Sequence, residues 1–143
     1  MIVAACPGDW PALLELWVAA WKATPIKVDF DARRAWFLAH LQTLTQAGYL
    51  AAMAPGPQGF VVLHPASGHI DQLAVAPAVR GSGIAAALIA HAKALAPQGL
   101  HLDVNQDNPR AVRFYQREGF VIAGERVSAV SGLKLFDMAW RPS

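Results

Sequence analysis

Val75–Lys93 reads VAPAVRGSGIAAALIAHAK: an apolar run passes through Pro77, and Arg80, Gly81 and Gly83 then stand at the mouth of a strongly apolar helix. The first turn of a helix holds N–H groups without intrahelical partners, and the peptide dipoles add positive potential, so it attracts anions. Glycine keeps side chains off that backbone and accepts unusual dihedral angles, while Arg80 contributes charge. RGSGIA thus suits a cradle for a phosphate or pyrophosphate, and it equally suits a glycine-rich turn that only admits the chain to a helix. Two familiar phosphate loops are excluded. The chain has no G-x-x-x-x-G-K-[ST]. Gly81, Gly83 and Ala86 satisfy G-x-G-x-x-[GA] only loosely, because the expected acidic strand end is missing and Asp103 falls inside LHLDVNQ.

Upstream of this stretch, YLAAMA, GFVVLH and HIDQLAV are short apolar runs separated by PGPQG and PASG, the pattern of an antiparallel meander. Before them, IVAAC reads as a first strand. GDWPALLELWVAAWKA reads as a helix with Asp9 as N-cap, Pro11 in the first turn, and Leu13, Leu14, Trp17, Val18 and Trp21 on its inner face. It stops near Thr24-Pro25. A second helix lies within IKVDFDARRAWFLAHLQTLTQAG, with Phe37, Leu41 and Leu44 inward and Gly48 past its end.

Downstream, a helix from Gly81 to about Ala96 carries Ile84, Leu88, His91 and Leu95 on one stripe, and APQG separates it from the strand LHLDV. Asn108-Pro109 opens a short helix RAVRFYQRE closed by Gly119, and FVIAGERVSAV with LKLFDMAW form a last hairpin around Ser131-Gly132. The strand, helix, strand unit demands parallel pairing, whereas the flanking strands are antiparallel. The expected architecture is α/β (α+β), with a mixed, mostly antiparallel sheet and about four helices.

With 143 residues, 55% hydrophobic and 15% charged, the chain can bury a sizeable core, and one domain over residues 1–143 is expected. Its formal charge is +2, spread without any dense basic block, so a nucleic-acid partner is not favoured. Neither a leader pattern at MIVAACPGDW nor an apolar run of membrane-spanning length is visible, and a cytoplasmic protein is expected. Cys6 has no partner for an internal disulfide and reads as a small buried residue. His40, His64, His91 and His101 show no metal-ligand spacing, so no metal is expected. A homodimer is compatible with an apolar chain that carries five tryptophans.

Read as R-x-x-G-x-A, residues Arg80, Gly83 and Ala85 match the Q/R-x-x-G-x-G/A signature of the GNAT superfamily of acyl-CoA-dependent N-acetyltransferases. NPRAVRFYQREGF resembles that family's N-x-x-A-x-x-F-Y-x-x-x-G-F element at Asn108, Ala111, Phe114, Tyr115, Gly119 and Phe120. With HIDQLAVAP, the resemblance is specific from His69 to Phe120, and the order of elements extends it over most of the chain. Before about Val28 it is one of pattern only.

The resemblance implies acetyl-CoA as acetyl donor and direct attack on it, in a ternary complex, by a primary amine of a small molecule or peptide. The implied pyrophosphate site is the backbone of Arg80, Gly81, Ser82, Gly83, Ile84 and Ala85, with Asn108 and Ala111 also at the cofactor. The parallel strand pair is expected to splay there, so that Leu73, Ala74 and Val75 offer backbone groups to the pantetheine arm and a N–H near Val75 meets the developing oxyanion. Asp71 occupies the strand position where related enzymes often carry a catalytic glutamate, and Tyr115 the position of the acid for the departing thiolate. An ordinary aspartate, with a pKa of about 3.9, needs a water or burial to act as that base.

His69, on the same strand face as Asp71, is an alternative proton acceptor. Trp21 fits the core or the wall of an acceptor site, and Asp29 fits either a favourable helix-start charge or recognition of the cationic amine. Arg110, Arg113 and Arg117 read as a solvated helix face from which one reaches the cofactor's 3′-phosphate. A domain of the same fold that senses acyl-CoA without catalysis is the alternative function.

Overall fold

Seven strands form one sheet in the order β1-β2-β3-β4-β5-β7-β6. The computed structural model describes residues 1–142; Ser143, the last residue of the expected domain, lies outside them. In chain order the elements are β1 Val3–Ala4, α1 Trp10–Lys22, α2 Arg34–Gln46, β2 Leu50–Ala54, β3 Gly59–His64 and β4 His69–Val75. They continue with α3 Ile84–Leu95, β5 Leu100–Asn105, α4 Pro109–Arg117, β6 Val121–Val127 and β7 Lys134–Trp140. Among the described strands, β4 and β5 pair in parallel and every other neighbouring pair is antiparallel, as expected of a mixed sheet.

Helices cover both faces. On one, Leu88, Ile89 and Ala92 of α3 and Val112 and Tyr115 of α4 join Val61, Leu63, Ile70, Leu102 and Met138 in a single cluster. On the other, Leu13 and Trp17 of α1 and Phe37, Leu41 and Leu44 of α2 pack with Phe60, Val62 and Ala74. Strand β3 contributes to both clusters, which is why GFVVLH is continuously apolar and does not alternate.

Three local expectations change. Helix α3 begins at Ile84, three residues later than expected, because Gly81 and Gly83 take φ of +79° and +88° and stay outside the helix. Its buried stripe is Leu88, Ile89 and Ala92, which runs on to the buried Ala96; Leu95 is exposed and His91 half-buried. Asp9 stands at the N-cap position of α1 as expected, but its side chain caps the preceding turn instead: the carboxylate accepts the Cys6 N–H at 2.9 Å and the thiol at 3.3 Å, closing a 3₁₀ turn. Cys6 is therefore at an exposed turn, not in the core, and Asp9 pushes its thiol pKa up.

Two irregularities interrupt the regular pairing of β4. Val62 pairs with Gln72 but the next residue, Leu63, pairs with Ile70, so Asp71 is an extra residue, a bulge without an opposite number. The bulge sends Asp71 and Gln72 toward the same helical layer: Asp71 meets His40 of α2 and Gln72 meets Trp17 of α1. The other irregularity is the end of the β4–β5 pairing. The strands are joined at His69 and His101, where the His101 N–H also donates to the Gly68 carbonyl at 2.9 Å. Past that point β4 runs beside β3 to Val75 and β5 runs beside β7 to Asn105, so the parallel pair comes apart as expected.

Candidate active site

A cleft of about 810 Å³ occupies the gap where β4 and β5 part, and it opens toward both helical layers. The Ala76 N–H donates to Gln58 on the β3 side, so the two-residue alternation of a strand turns the backbone groups of Leu73 and Val75 toward the vacated β5 side. Leu73, Ala74 and Val75 all line the cleft. An extended, amide-bearing chain laid there would satisfy edge groups that the sheet leaves unpaired.

Helix α3 starts at the same gap. Gly83 is its N-cap in the left-handed conformation, and no side chain caps the helix. Among the described residues, the N–H groups of Gly81, Gly83, Ile84, Ala85 and Ala86 make no hydrogen bond, and these five residues line the cleft. Two expected donors differ: the Arg80 N–H turns back to Pro77 at 3.4 Å and the Ser82 N–H to Val79 at 3.3 Å, because the segment coils through a tight turn before the helix. The Ser82 hydroxyl also donates to the Val79 carbonyl, and Ser82 does not line the cleft. Arg80 does, through its side chain. A Cβ at Gly81 or Gly83 would meet no atom within 4 Å, so the glycines answer to backbone conformation and to an open approach, not to internal crowding.

Helix α4 supplies side chains. Asn108 is its N-cap, accepting the Ala111 N–H at 3.4 Å, and both residues line the cleft. Tyr115 lies in the core cluster beside Phe114 and Phe120, with ring centroids 5.2 and 5.5 Å away. Its hydroxyl makes no hydrogen bond among the described residues, yet it is not sealed from solvent, and Tyr115 lines the cleft. Burial, aided by the charge of Asp103, pushes the phenol well above its ordinary range, which keeps the proton on the oxygen at neutral pH. Arg110 and Arg117 reach the cleft; Arg113 does not line it.

Across the gap, Trp17, Trp21, Phe30 and Trp36 form an aromatic chamber, with Trp21 stacked on Phe30 at 5.3 Å. Asp71 and His40 sit in its wall, the His40 Nε2 lying 2.7 Å from the Asp71 Oδ1. Burial would raise the Asp71 pKa, but the His40 and Gln72 hydrogen bonds outweigh it and hold the carboxyl below the usual aspartate value. Burial therefore does not make Asp71 more basic, contrary to one of the two conditions set by its chemistry. His40 escaped the sequence because a histidine on α2 and an aspartate on β4 are joined only by the bulge and the packing of α2 on the sheet.

His69 and Asp29 stand apart from the chamber. His69 is at the paired end of β4, with its Nδ1 2.7 Å from the Tyr49 hydroxyl and its ring 5.0 Å from that of His101; burial holds its pKa down, and it does not line the main cleft. Asp29 accepts the Ala32 N–H at 3.1 Å, capping the turn before α2, and likewise lines no part of the cleft. Among the described residues no three His, Cys, Asp or Glu side chains gather as a metal site, and no helix is long and apolar enough to cross a membrane.

Fold and cleft define a mixed α/β protein whose ligand site lies where two parallel strands part beside an uncapped helix start. The chain belongs to the Acetyltransferase (GNAT) family, whose sequence model matches residues 10–120. It is 46% identical over 68 residues to the peptidyl-lysine N-acetyltransferase YjaB of Salmonella typhimurium, a match covering 48% of this chain and 45% of that one. The Escherichia coli YjaB is 41% identical over 68 residues, 48% of this chain and 44% of the relative, so the chain spans less than half the length of these curated relatives. The solution structure of apo YjaB from Escherichia coli superposes with a TM-score of 0.73 and 27% identity, over 100% of this chain and 98% of that one. The paia N-acetyltransferase of Thermoplasma acidophilum, solved in complex with coenzyme A, shares the fold at TM-score 0.77 and 18% identity, over 99% and 98% of the two chains.

Proposed function

We propose that this chain is an acetyl-CoA-dependent N-acetyltransferase that acetylates a primary amine of a peptide or small molecule in a cytoplasmic setting. The observation that carries it is the continuity of the cleft: one passage joins the unpaired amides at the start of α3, the open edge of β4, the Tyr115 hydroxyl and the aromatic chamber. Bound acetyl-CoA would supply an activated acyl group and a thiol leaving group. The residues present fit it, since a diphosphate needs donors without partners and a cation, and the start of α3 with Arg80 offers both.

Each part of the cleft then has a task. The free N–H groups from Gly81 to Ala86 and the Arg80 side chain bind the diphosphate, and the edge groups of Leu73 and Val75 align the amide-bearing arm. Tyr115 holds a proton at Oη for the leaving sulfur; proton transfer of this kind contributes ~10²- to 10⁴-fold. The chamber of Trp17, Trp21, Phe30 and Trp36 receives the acceptor, and its apolar, aromatic walls suit an amine at the end of an alkyl stem, as in a lysine side chain. The activity for which YjaB is named, transfer to peptidyl lysine, supports the same acceptor class.

A thiol-release screen with acetyl-CoA and a panel of lysine peptides, amino acids, polyamines and aminoglycosides tests the proposal. Release that depends on one of these amines is expected. Stabilisation by coenzyme A with no release from any amine would instead assign the chain to the non-catalytic acyl-CoA sensors.

A further inference from the structure

We infer that His40 is the catalytic proton acceptor for the amine, with Asp71 as the residue that positions it; this rests on the acetyl-transfer function proposed above. His40 lies on α2 with its ring stacked on Trp36, centroids 4.6 Å apart and planes 14° from parallel. Its Nε2 meets the Asp71 Oδ1 at 2.7 Å, and that same oxygen accepts the Gln72 Nε2 at 3.0 Å. Gln72 in turn accepts the Trp17 Nε1–H at 3.1 Å, so a chain of side chains from α1 through the β4 bulge to α2 fixes the imidazole from one edge while Trp36 fixes its face.

A carboxylate against Nε2 selects the tautomer with hydrogen on Nε2 and leaves a lone pair on Nδ1. Among the described residues Nδ1 has no hydrogen bond, and the side chains of His40 and Asp71 keep 24% and 17% of their surface accessible, so both are reachable from the cleft they line. Asp71 is the weaker base on chemical grounds, since its acceptor oxygen already takes two hydrogen bonds and an ordinary carboxylate is roughly two and a half units less basic than an ordinary imidazole. The charged groups around His40 are few. Asp71 faces it from β4, with His69 and its partner Tyr49 further along. On α2 and the turn before it, Arg34 is held by Glu15 and Asp31, and Lys22 of α1 also pairs with Asp31, leaving Arg33 at the chamber wall.

Atoms and charge balance in the step. The amine nitrogen forms its bond to the acyl carbon, the carbon–sulfur bond breaks, and the acetyl group passes to nitrogen. One proton goes from that nitrogen to Nδ1 of His40 as positive charge develops on it, and the Tyr115 hydroxyl gives its proton to the departing sulfur. Solvent then returns the proton from imidazolium to phenolate. Group transfer needs no further reactant.

Two measurements decide it. With acetyl-CoA and N-α-acetyl-lysine methyl ester as probe, kcat of the native protein should rise with pH within the ~5 to 8 window in which an imidazole changes charge. His40→Gln should lower kcat by ~10²-fold and lose that limb, while the KM for acetyl-CoA stays nearly constant. Asp71→Asn should keep the limb while lowering kcat, because the imidazole is still present but loses the carboxylate that orients it. Retention of the limb and of near-native kcat by His40→Gln overturns the assignment. Independently of turnover, nitrogen-15 NMR of the native protein should show His40 with hydrogen on Nε2 and a bare Nδ1; the opposite tautomer overturns it too. If the native protein itself releases no thiol with the probe or with any other amine, acetyl transfer falls and the proton acceptor with it, a failure recognisable because it precedes any substitution.

Discussion

Two helices begin at the cleft, and they begin in opposite ways. Helix α4 closes its own start: Pro109 has no N–H to satisfy, and the Asn108 side chain accepts the Ala111 N–H. Helix α3 leaves its start open, with a left-handed glycine at the N-cap, no capping side chain and a row of N–H groups without partners. With glycine at the N-cap, the open start forgoes only about a few tenths of a kcal/mol that a side-chain cap would give. On the proposed function, the difference separates what each helix would contribute, backbone donors from α3 and side chains from α4, with Tyr115 foremost. Substitutions that remove one contribution without the other test whether the division is real.

The largest effect should come from the side-chain helix. Tyr115→Phe keeps the ring among Phe114, Phe120 and Val112 and removes only the hydroxyl, so folding and coenzyme A affinity should be nearly unchanged. Turnover should fall by ~10²-fold, the low end for a missing general acid, since a thiolate leaves readily even without one. Steady-state kinetics beside a calorimetric coenzyme A titration separates the two quantities. A fall in affinity as large as the fall in kcat would mean that Tyr115 serves binding, and the division between the helices would lose its sharpest instance.

Next comes the backbone helix. Gly83→Val puts a branched side chain at φ +88° and over the free amides, so it should weaken coenzyme A binding at least ~10-fold, worth about 1.4 kcal/mol. Strain at a left-handed position costs on the order of 1–2 kcal/mol of stability as well. A melting curve run without ligand isolates that strain. Unchanged affinity in a folded variant would remove α3 from the binding of the diphosphate.

This division also explains what could be read from residues alone. Backbone binding leaves glycines at a helix mouth, and the α4 side chains recur at fixed spacing within one short segment, so RGSGIA and NPRAVRFYQREGF were legible as local patterns. The sheet was legible for the same reason: turn chemistry at PGPQG, PASG and Ser131-Gly132 set the strands, and all seven are present. The half of the cleft proposed for the acceptor depends on long-range packing. His40 and Asp71 are 31 residues apart, and Trp17 and Gln72 are 55 apart; a one-residue bulge is what turns Asp71 and Gln72 to the same side. No period in the sequence announces a bulge, and alternation without it gives the wrong neighbours. Charge and strand face point Asp29 and His69 toward the site, whereas the structure gives each a local partner, the Ala32 N–H and the Tyr49 hydroxyl.

The smallest effects fall on the two polar residues at the helix starts, and they should differ in kind. Asn108→Ala removes the cap of α4 and should cost ~1 kcal/mol of stability, with coenzyme A affinity reduced only slightly, because the side-chain oxygen is already committed to the Ala111 N–H. Ser82→Ala should change neither by more than a few tenths of a kcal/mol: its hydroxyl is turned back onto the Val79 carbonyl, the residue is exposed, and it lies outside the cleft lining. Thermal denaturation with and without coenzyme A reads both. If Ser82→Ala weakened coenzyme A binding as much as Gly83→Val, the diphosphate would be held by a side chain at α3 after all, and the two helix starts would be doing the same job.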